Sequence, residues 1–469
     1  MNFLIQNALV LHGEGYAAVD VEIRAGWIQA IRPAHSQNQD AGLPTVDGQD
    51  KLLLPGFVNG HTHSTQIWQR GLIPQLPLEL WLADLVDTTP IDLEAIYLGA
   101  LTTAVQTLLS GGTCLMDHLY LVLGQELETI AAVVRAYQEV GIRAVIAPLL
   151  QDEPWAASIP QGWQRLPHQP MPRSTSETLA ILEEIVTTFH DPEGTIRIGV
   201  GPTGFHRCSD DLLRGCAELS DRYDLCRHMH LLETRVQKRL AQEKYGGSAV
   251  RHLQHLGFLD YRASLAHCVW LDPEDLAILA ETRATVVHNP LSNLRLGSGI
   301  APILKCLQSG VNVALGCDGA ASNDGQDLLE TLKLSTILHN VTEIDYRQWI
   351  TPRRVVEMAT LGGARGVNLA DRIGSLAVGK QADLVLYDLK HLSLLPRTDP
   401  VGLLVLGRPT AVVNAVWIGG QQVVAEGRII TIEVEELTQT LHDRSCRAAK
   451  PQFQTIDQIE TYYRQIMSD

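Results

Sequence analysis

His61 and His63 stand either side of Thr62, directly after the apolar run Phe57-Val58-Asn59-Gly60. On an extended chain residues i and i+2 point the same way, so both imidazoles face one side. The pattern recurs. His230, His267 and His288 each close a short apolar run, and Asp318 closes another. Imidazole nitrogen and carboxylate oxygen are the usual ligands of a divalent metal that keeps one position open for catalysis. One histidine at the end of a strand is ordinarily a satisfied core residue. Five strand ends of this kind are hard to explain by packing.

The elements that must position these groups alternate between short apolar strands and long helical patterns, the sign of βαβ units. Eight strands are expected: Leu53 to Gly60, Gly112 to Asp117, Ile142 to Leu149, Ile196 to Gly201, Leu225 to Leu231, Ala263 to His267, Ala284 to His288 and Val311 to Gly316. Helical stretches such as Leu93 to Leu109 and Glu177 to Phe189 separate them. The predicted fold is α/β, a (β/α)8 TIM-like barrel, whose enzymes carry their catalytic groups at the C-terminal ends of the strands. An open doubly wound sheet is the alternative. Its glycine-rich phosphate fingerprint is absent, because the first strand runs into Gly60-His61-Thr62-His63.

Strand-rich segments also occur at both ends of the chain: Phe3 to Leu11, Val19 to Arg24, Trp27 to Arg32, Asp383 to Asp388, Val412 to Ile418 and Gln421 to Ile430. Gly419-Gly420 is a hairpin signal between the last two. The expected division is 1–54 and 370–430 as the two parts of a small β-sandwich domain formed by both chain ends, 55–369 as the barrel, and 431–469 as a helical tail.

The 469 residues fit one barrel of about 250 residues or more plus a smaller domain. A hydrophobic content of 45% supports a full core, and a net charge of -16 argues against nucleic acid or an anionic membrane surface as partner. The eight cysteines form no C-x-x-C pair, which fits a reduced, cytoplasmic chain with buried thiols. Neither a signal peptide nor an apolar membrane span is expected.

The string Pro55-Gly56-Phe57-Val58-Asn59-Gly60-His61-Thr62-His63 resembles the opening metal motif of the amidohydrolase superfamily. The resemblance extends through His230-Leu231-Leu232-Glu233-Thr234, Ala266-His267-Cys268, His288-Asn289-Pro290-Leu291-Ser292-Asn293 and Asp318-Gly319-Ala320-Ala321-Ser322-Asn323-Asp324. It continues in Ala359 to Ala364 and Gly374 to Leu384, so nearly the whole chain up to about residue 430 is covered. The combination is similar to the triazine-hydrolase and nucleobase-deaminase branch. That resemblance implies one divalent metal, zinc or else iron, held by His61, His63, His230 and Asp318. It makes Glu233 the proton shuttle and His267 the group that steadies the attacking hydroxide, with Asp318 serving both metal and catalysis. Binuclear relatives use a carbamylated lysine from the fourth strand; no lysine occurs between Lys51 and Lys238, so a mononuclear centre is expected.

The implied reaction is hydrolytic deamination of an aminated nitrogen heterocycle, a purine-like base or an s-triazine, with release of ammonia. The same site chemistry releasing chloride or an alkylamine from a substituted triazine is the alternative. A metal-binding scaffold without catalysis is the remote one, disfavoured because all six expected positions are filled. Substrate contacts are expected from Gln66 and Trp81 in a long loop over the barrel mouth, and from His118, His206 and His288. His228 points inward one layer below His230 and reads as packing or as support behind the ligands. Nucleoside-specific relatives carry an acid beyond the lid tryptophan; Asp84, Asp87 and Asp92 lie nearby without aligning, which favours a free base or triazine. A homodimer or larger homo-oligomer is expected from the relatives.

Overall fold

The computed structural model describes residues 1–35, 42–88, 92–158, 172–447, 460 and 463–464. Its centre is a ring of parallel strands in two ladders. β1 (Phe57–Thr62), β2 (Gly112–Leu119), β3 (Arg143–Leu150) and β4 (Ile196–Ile198, resumed at Gly201–Pro202) form one. β5 (Arg227–Leu231), β6 (Ala263–His267), β7 (Thr285–His288) and β8 (Asn312–Leu315) form the other. A parallel bridge from Val200 to Arg227 joins them on one side. On the other side the Asp318 N–H donates to the His61 carbonyl at 2.9 Å, and the Cys317 N–H donates to Asn59 Oδ1 at 2.9 Å. The expected eight-stranded barrel is thus the observed one.

Two expectations on strands are corrected. The first expected strand, Leu53 to Gly60, is two strands. Lys51–Pro55 belongs to the sheet made by the chain ends, and only Phe57–Thr62 belongs to the barrel. Gly56 makes the step between them, since a Cβ there would lie 2.0 Å from Thr113 Oγ1. The fourth strand is interrupted between Ile198 and Gly201, where a Cβ on Gly201 would meet the Pro148 carbonyl at 2.4 Å.

The nine-stranded sheet of the chain ends takes strands from both termini, with Lys51–Pro55 pairing antiparallel to Leu384–Asp388 at its middle. Its own apolar cluster includes Ile5, Val21, Ile23, Leu53, Leu384 and Trp417. A bidentate ion pair ties this sheet to the barrel. Arg143 at the start of β3 meets Asp383 at 2.8 and 2.9 Å, both side chains buried. Removing either partner would strand a buried charge, a loss of about 3–5 kcal/mol.

Helices cover the barrel. Leu93–Leu109 forms as expected, capped by the Asp92 side chain. The stretch expected as a lid loop is partly helical: Ser64–Gln69 is a 3-10 helix and Leu78–Thr88, called α1 here, is an α-helix. At the C-terminal end Val434–Arg447 is helical. All eight cysteines are free thiols, seven of them buried. No helix among the described residues is long and apolar enough to cross a membrane.

Candidate active site

His61, His63, His230, Glu233, His267 and Asp318 sit at or just beyond C-terminal strand ends, and the backbone there is bent to present several of them. Leu232, His267, Cys268 and Asp318 all have positive φ, between 47 and 73°. Non-glycine residues adopt this region at a cost of about 1–3 kcal/mol each, and such strain clusters where function over-determines geometry.

Three histidines and one carboxylate converge. His63 Nε2 lies 3.2 Å from His230 Nε2; Asp318 Oδ1 lies 3.3 Å from His61 Nε2 and 3.6 Å from His63 Nε2. Ligands at about 2.0–2.1 Å from a tetrahedral zinc stand roughly 3.4 Å apart, so these spacings fit one divalent cation. His61 Nε2 is buried and has no hydrogen-bond partner, the mark of a lone pair reserved for something else. Each imidazole is steered from behind. His63 Nδ1 donates to the His118 carbonyl at 2.6 Å, and His230 Nδ1 donates to the Thr203 carbonyl at 2.7 Å. His61 Nδ1 lies 2.7 Å from His228 Nε2. Asp318 is held by the Gly319 N–H on Oδ1 at 2.7 Å, while its carbonyl accepts from Thr62 and Gln326.

Burial drives the protonation states. His61 is pushed down to about 4, and His118, His206, His228, His230 and His288 fall well below the usual imidazole value, in each case chiefly because burial disfavours the cation. Neutral imidazole is the form that binds metal. Burial opposes the Asp318 charge too, but the histidines facing it, His61 first and then His267 and His63, hold its carboxyl well below the ordinary range. Glu233 is the reverse case: burial raises it to about 7.

These depressed histidines make a stability prediction. Six imidazoles stay neutral in the folded protein but accept protons near pH 6.5 when unfolded. Their contribution is therefore complete above about pH 6.5 and is lost as pH falls from there toward the folded values, by about 1.4 kcal/mol per pH unit for each histidine. The metal-free protein is expected to show a steep fall in urea midpoint between pH 7.5 and 5.5. An unchanged midpoint across that window would show the imidazoles to be solvated.

Beside the centre lie His267 and Glu233. His267 Nδ1 donates to Asn293 Oδ1 at 2.9 Å, which aims Nε2 at Glu233 Oε2, 3.6 Å away, and at Asp318 Oδ2, 3.9 Å away. The Glu233 N–H donates to Gln237 Oε1, and Ser298 Oγ reaches Glu233 Oε1 at 3.4 Å.

A cavity of about 360 Å³ opens above these groups, reaching His63, His230, Glu233, His267 and Asp318 at its floor. Gln66, Trp81 and His206 line it, as the sequence suggested. Gln66 is pressed into place by the absent side chain of Gly319, where a Cβ would lie 1.8 Å from Gln66 Oε1. Trp81 both lines the wall and anchors α1, its indole N–H donating to the Ala321 carbonyl at 3.3 Å. His118 and His288 are placed differently. His118 is stacked against His63 and His230, within 4.8 Å of the ligand atoms, and donates from Nε2 to the Gly201 carbonyl. His288 is fully buried, packs beside His339, and does not reach the cavity wall. Of the nearby acids, Asp92 caps a helix and pairs with Arg444, and neither it nor Asp84 lines the cavity.

Several contributors escaped the sequence reading. Arg207 lines the cavity, its Nε donating to Ser158 Oγ at 2.8 Å, and burial lowers its guanidinium to about 10. Asp117 is buried behind His63, accepting from the Ser64 N–H, Ser64 Oγ and Tyr137 OH. Asp117 closes the second expected strand, but its partner Tyr137 is twenty residues away on a helix.

A barrel whose strand ends assemble three histidines, an aspartate held below the ordinary carboxyl range and a raised glutamate is a metal-dependent hydrolase of carbon–nitrogen bonds. The comparisons agree. The model of the amidohydrolase family matches residues 52–423. A 5-methylthioadenosine/S-adenosylhomocysteine deaminase of Syntrophobacter fumaroxidans is 33% identical over 444 residues, 93% of this chain and 96% of that one. A zinc-bound adenosine deaminase from Xanthomonas campestris superposes with a TM-score of 0.84 at 27% identity, covering 95% of this chain and 99% of the other. The zinc complex of atrazine chlorohydrolase from Arthrobacter aurescens, at 24% identity and a TM-score of 0.85 over 94% and 100% of the two chains, shares the fold. This chain belongs to the amidohydrolase family.

Proposed function

We propose that the protein is a zinc-dependent aminohydrolase acting on an adenosine-like nucleoside, and that it replaces the ring amino group by oxygen with release of ammonia. The observation that carries the reading is the meeting of the His61–His63–His230–Asp318 cluster with Glu233 and His267 at one cavity floor. The four residues of that cluster would hold one divalent cation, which would lower the pKa of a bound water to near 7.

The chain does the rest. Glu233, raised to about 7, takes one proton from the water and delivers it to the ring nitrogen; the second proton of that water then goes to the amino group, which leaves as ammonia. His267, fixed by Asn293, holds its Nε2 beside both Glu233 and Asp318, where it can hydrogen-bond the attacking oxygen. Trp81 offers a rigid aromatic face for the ring, and Gln66 an unpartnered buried carbonyl oxygen to accept from it.

Leu82, Leu85, Tyr120, Leu123, Leu150 and Ile181 form an apolar part of the cavity wall. Among the described lining residues the acids are Glu126, Glu233 and Asp318, and Glu126 is tied to Arg173 at 2.6 Å. Such a wall suits a nucleoside whose sugar carries an apolar 5′ substituent, in keeping with the names of the relatives. It moves the preferred substrate from the free base or triazine expected from sequence to a nucleoside. The apolar wall equally accepts the alkyl arms of a substituted triazine, which keeps that substrate as the second reading, with chloride or an alkylamine leaving.

The test is ammonia release from adenine, adenosine, 5′-deoxyadenosine, 5′-methylthioadenosine and an alkylated aminotriazine by the zinc-loaded protein. The methylthio nucleoside is expected to exceed adenosine in kcat/KM by about 10-fold, the worth of one buried apolar group. Preference for adenosine would contradict the apolar-wall argument; turnover of the triazine alone would favour the second reading. A cytoplasmic location and assembly into a homodimer or larger homo-oligomer belong to the same proposal, the second checked by light scattering.

A further inference from the structure

The three histidines of the cluster are not held alike. His63 and His230 each give their Nδ1 proton to a main-chain carbonyl, whose position the barrel itself fixes. His61 has a side chain behind it instead. Its Nδ1 lies 2.7 Å from His228 Nε2, and His228 Nδ1 lies 3.1 Å from Ser264 Oγ. His61, His228 and Ser264 are fully buried on β1, β5 and β6.

Counting protons gives the line a direction. His61 Nε2 is without a protein partner and faces Asp318 Oδ1, so its lone pair must stay open for a cation. The single proton of neutral His61 then sits on Nδ1 and is donated to His228 Nε2. His228 accepts there, which places its own proton on Nδ1, donated to Ser264 Oγ. Both nitrogens of His228 are engaged, so it is not itself a ligand.

We propose that His228 is the positioning residue for His61: the line Ser264–His228–His61 fixes the tautomer and ring orientation of that ligand and thereby sets the affinity of the centre for its metal. Partners behind a liganding imidazole commonly govern metal affinity. Here the partner is a rotatable side chain on another strand, so it is open to substitution in a way a carbonyl is not. The inference rests on the metal-centre reading but not on the identity of the substrate, and its readouts are metal binding and spectroscopy. A failed deaminase assay would leave it standing.

The experiment compares the full-length wild type, His228→Leu, His228→Gln and Ser264→Ala. Zinc affinity is read by chelator competition, the visible bands of the cobalt-substituted proteins report ligand geometry, and circular dichroism of the metal-free forms controls for folding. His228→Leu, which fills the space without accepting a hydrogen bond, is expected to bind zinc about 10–100-fold more weakly and to shift the cobalt bands. His228→Gln, whose amide oxygen accepts from His61 and whose NH2 donates to Ser264, is expected to recover most of the affinity. Ser264→Ala is expected to fall between the two. Wild-type affinity and cobalt bands in His228→Leu would overturn the proposal, as would His228→Gln no better than His228→Leu. If His228→Leu does not fold, wild-type zinc affinity in Ser264→Ala together with weak binding in His228→Gln would overturn it, and the reverse order would support it.

Discussion

Glu233→Gln is expected to lower turnover by about 10²–10⁴-fold while leaving metal content at the wild-type level. The carboxylate is not part of the ligand cluster; it stands against His267 at 3.6 Å, at the cavity floor. Glutamine keeps the size and the hydrogen bond from Ser298 but cannot take a proton from water. Glu233 has to begin the cycle ionised, and burial raises it to about 7, so the rate is expected to be lost as pH falls through that region. A bound cation favours the carboxylate and moves this limb to lower pH. The residual activity of Glu233→Gln is expected to lack the limb altogether. Metal analysis beside kcat measured from pH 5 to 9 checks both parts. Full activity in the variant would remove Glu233 from the mechanism.

Asp318→Ala should act one step earlier, on the metal. Asp318 is the single anion of the cluster, and its carboxyl is kept ionised by His61, His267 and His63 despite burial. Without it three imidazoles face a dication in a buried site, and a buried charge without a counter-charge is costly. Zinc affinity is expected to fall by more than about 100-fold, beyond the loss typical of a supporting partner. Activity is expected to follow occupancy. Excess zinc should restore metal content further than turnover, because Asp318 Oδ2 also faces His267 at 3.9 Å. Retention of one tightly held zinc per chain would show that His118, within 4.8 Å of the other ligand atoms, takes the fourth position instead.

Most of the site was legible because barrel chemistry is written at strand ends. Period-2 alternation puts His61 and His63 on one face, and a strand register read from apolar runs was good to one or two residues, enough to bring His230, His267 and Asp318 to one rim. Sequence failed where position depends on a partner far along the chain. His288 closes a strand like the others, yet the chain turns at Asn289 into a short helix and leaves its ring packed against His339 below the rim. The lid stretch lacked a helix cap signal, so the helix Leu78–Thr88 was not foreseen; Trp81 still reaches the wall because that helix lies across the mouth. Arg207 and the Asp117–Tyr137 contact are set by packing between elements, which no local pattern encodes. The split at Gly56 is a steric matter with Thr113, fifty-seven residues away.

The most direct measurement is ammonia release from 5′-methylthioadenosine by the protein stripped of metal and then titrated with zinc. The account predicts no release from the metal-free protein, a linear rise with added zinc, and a break at one zinc per chain. A plateau at two zincs per chain would contradict the mononuclear centre, and full activity without metal would contradict the central claim.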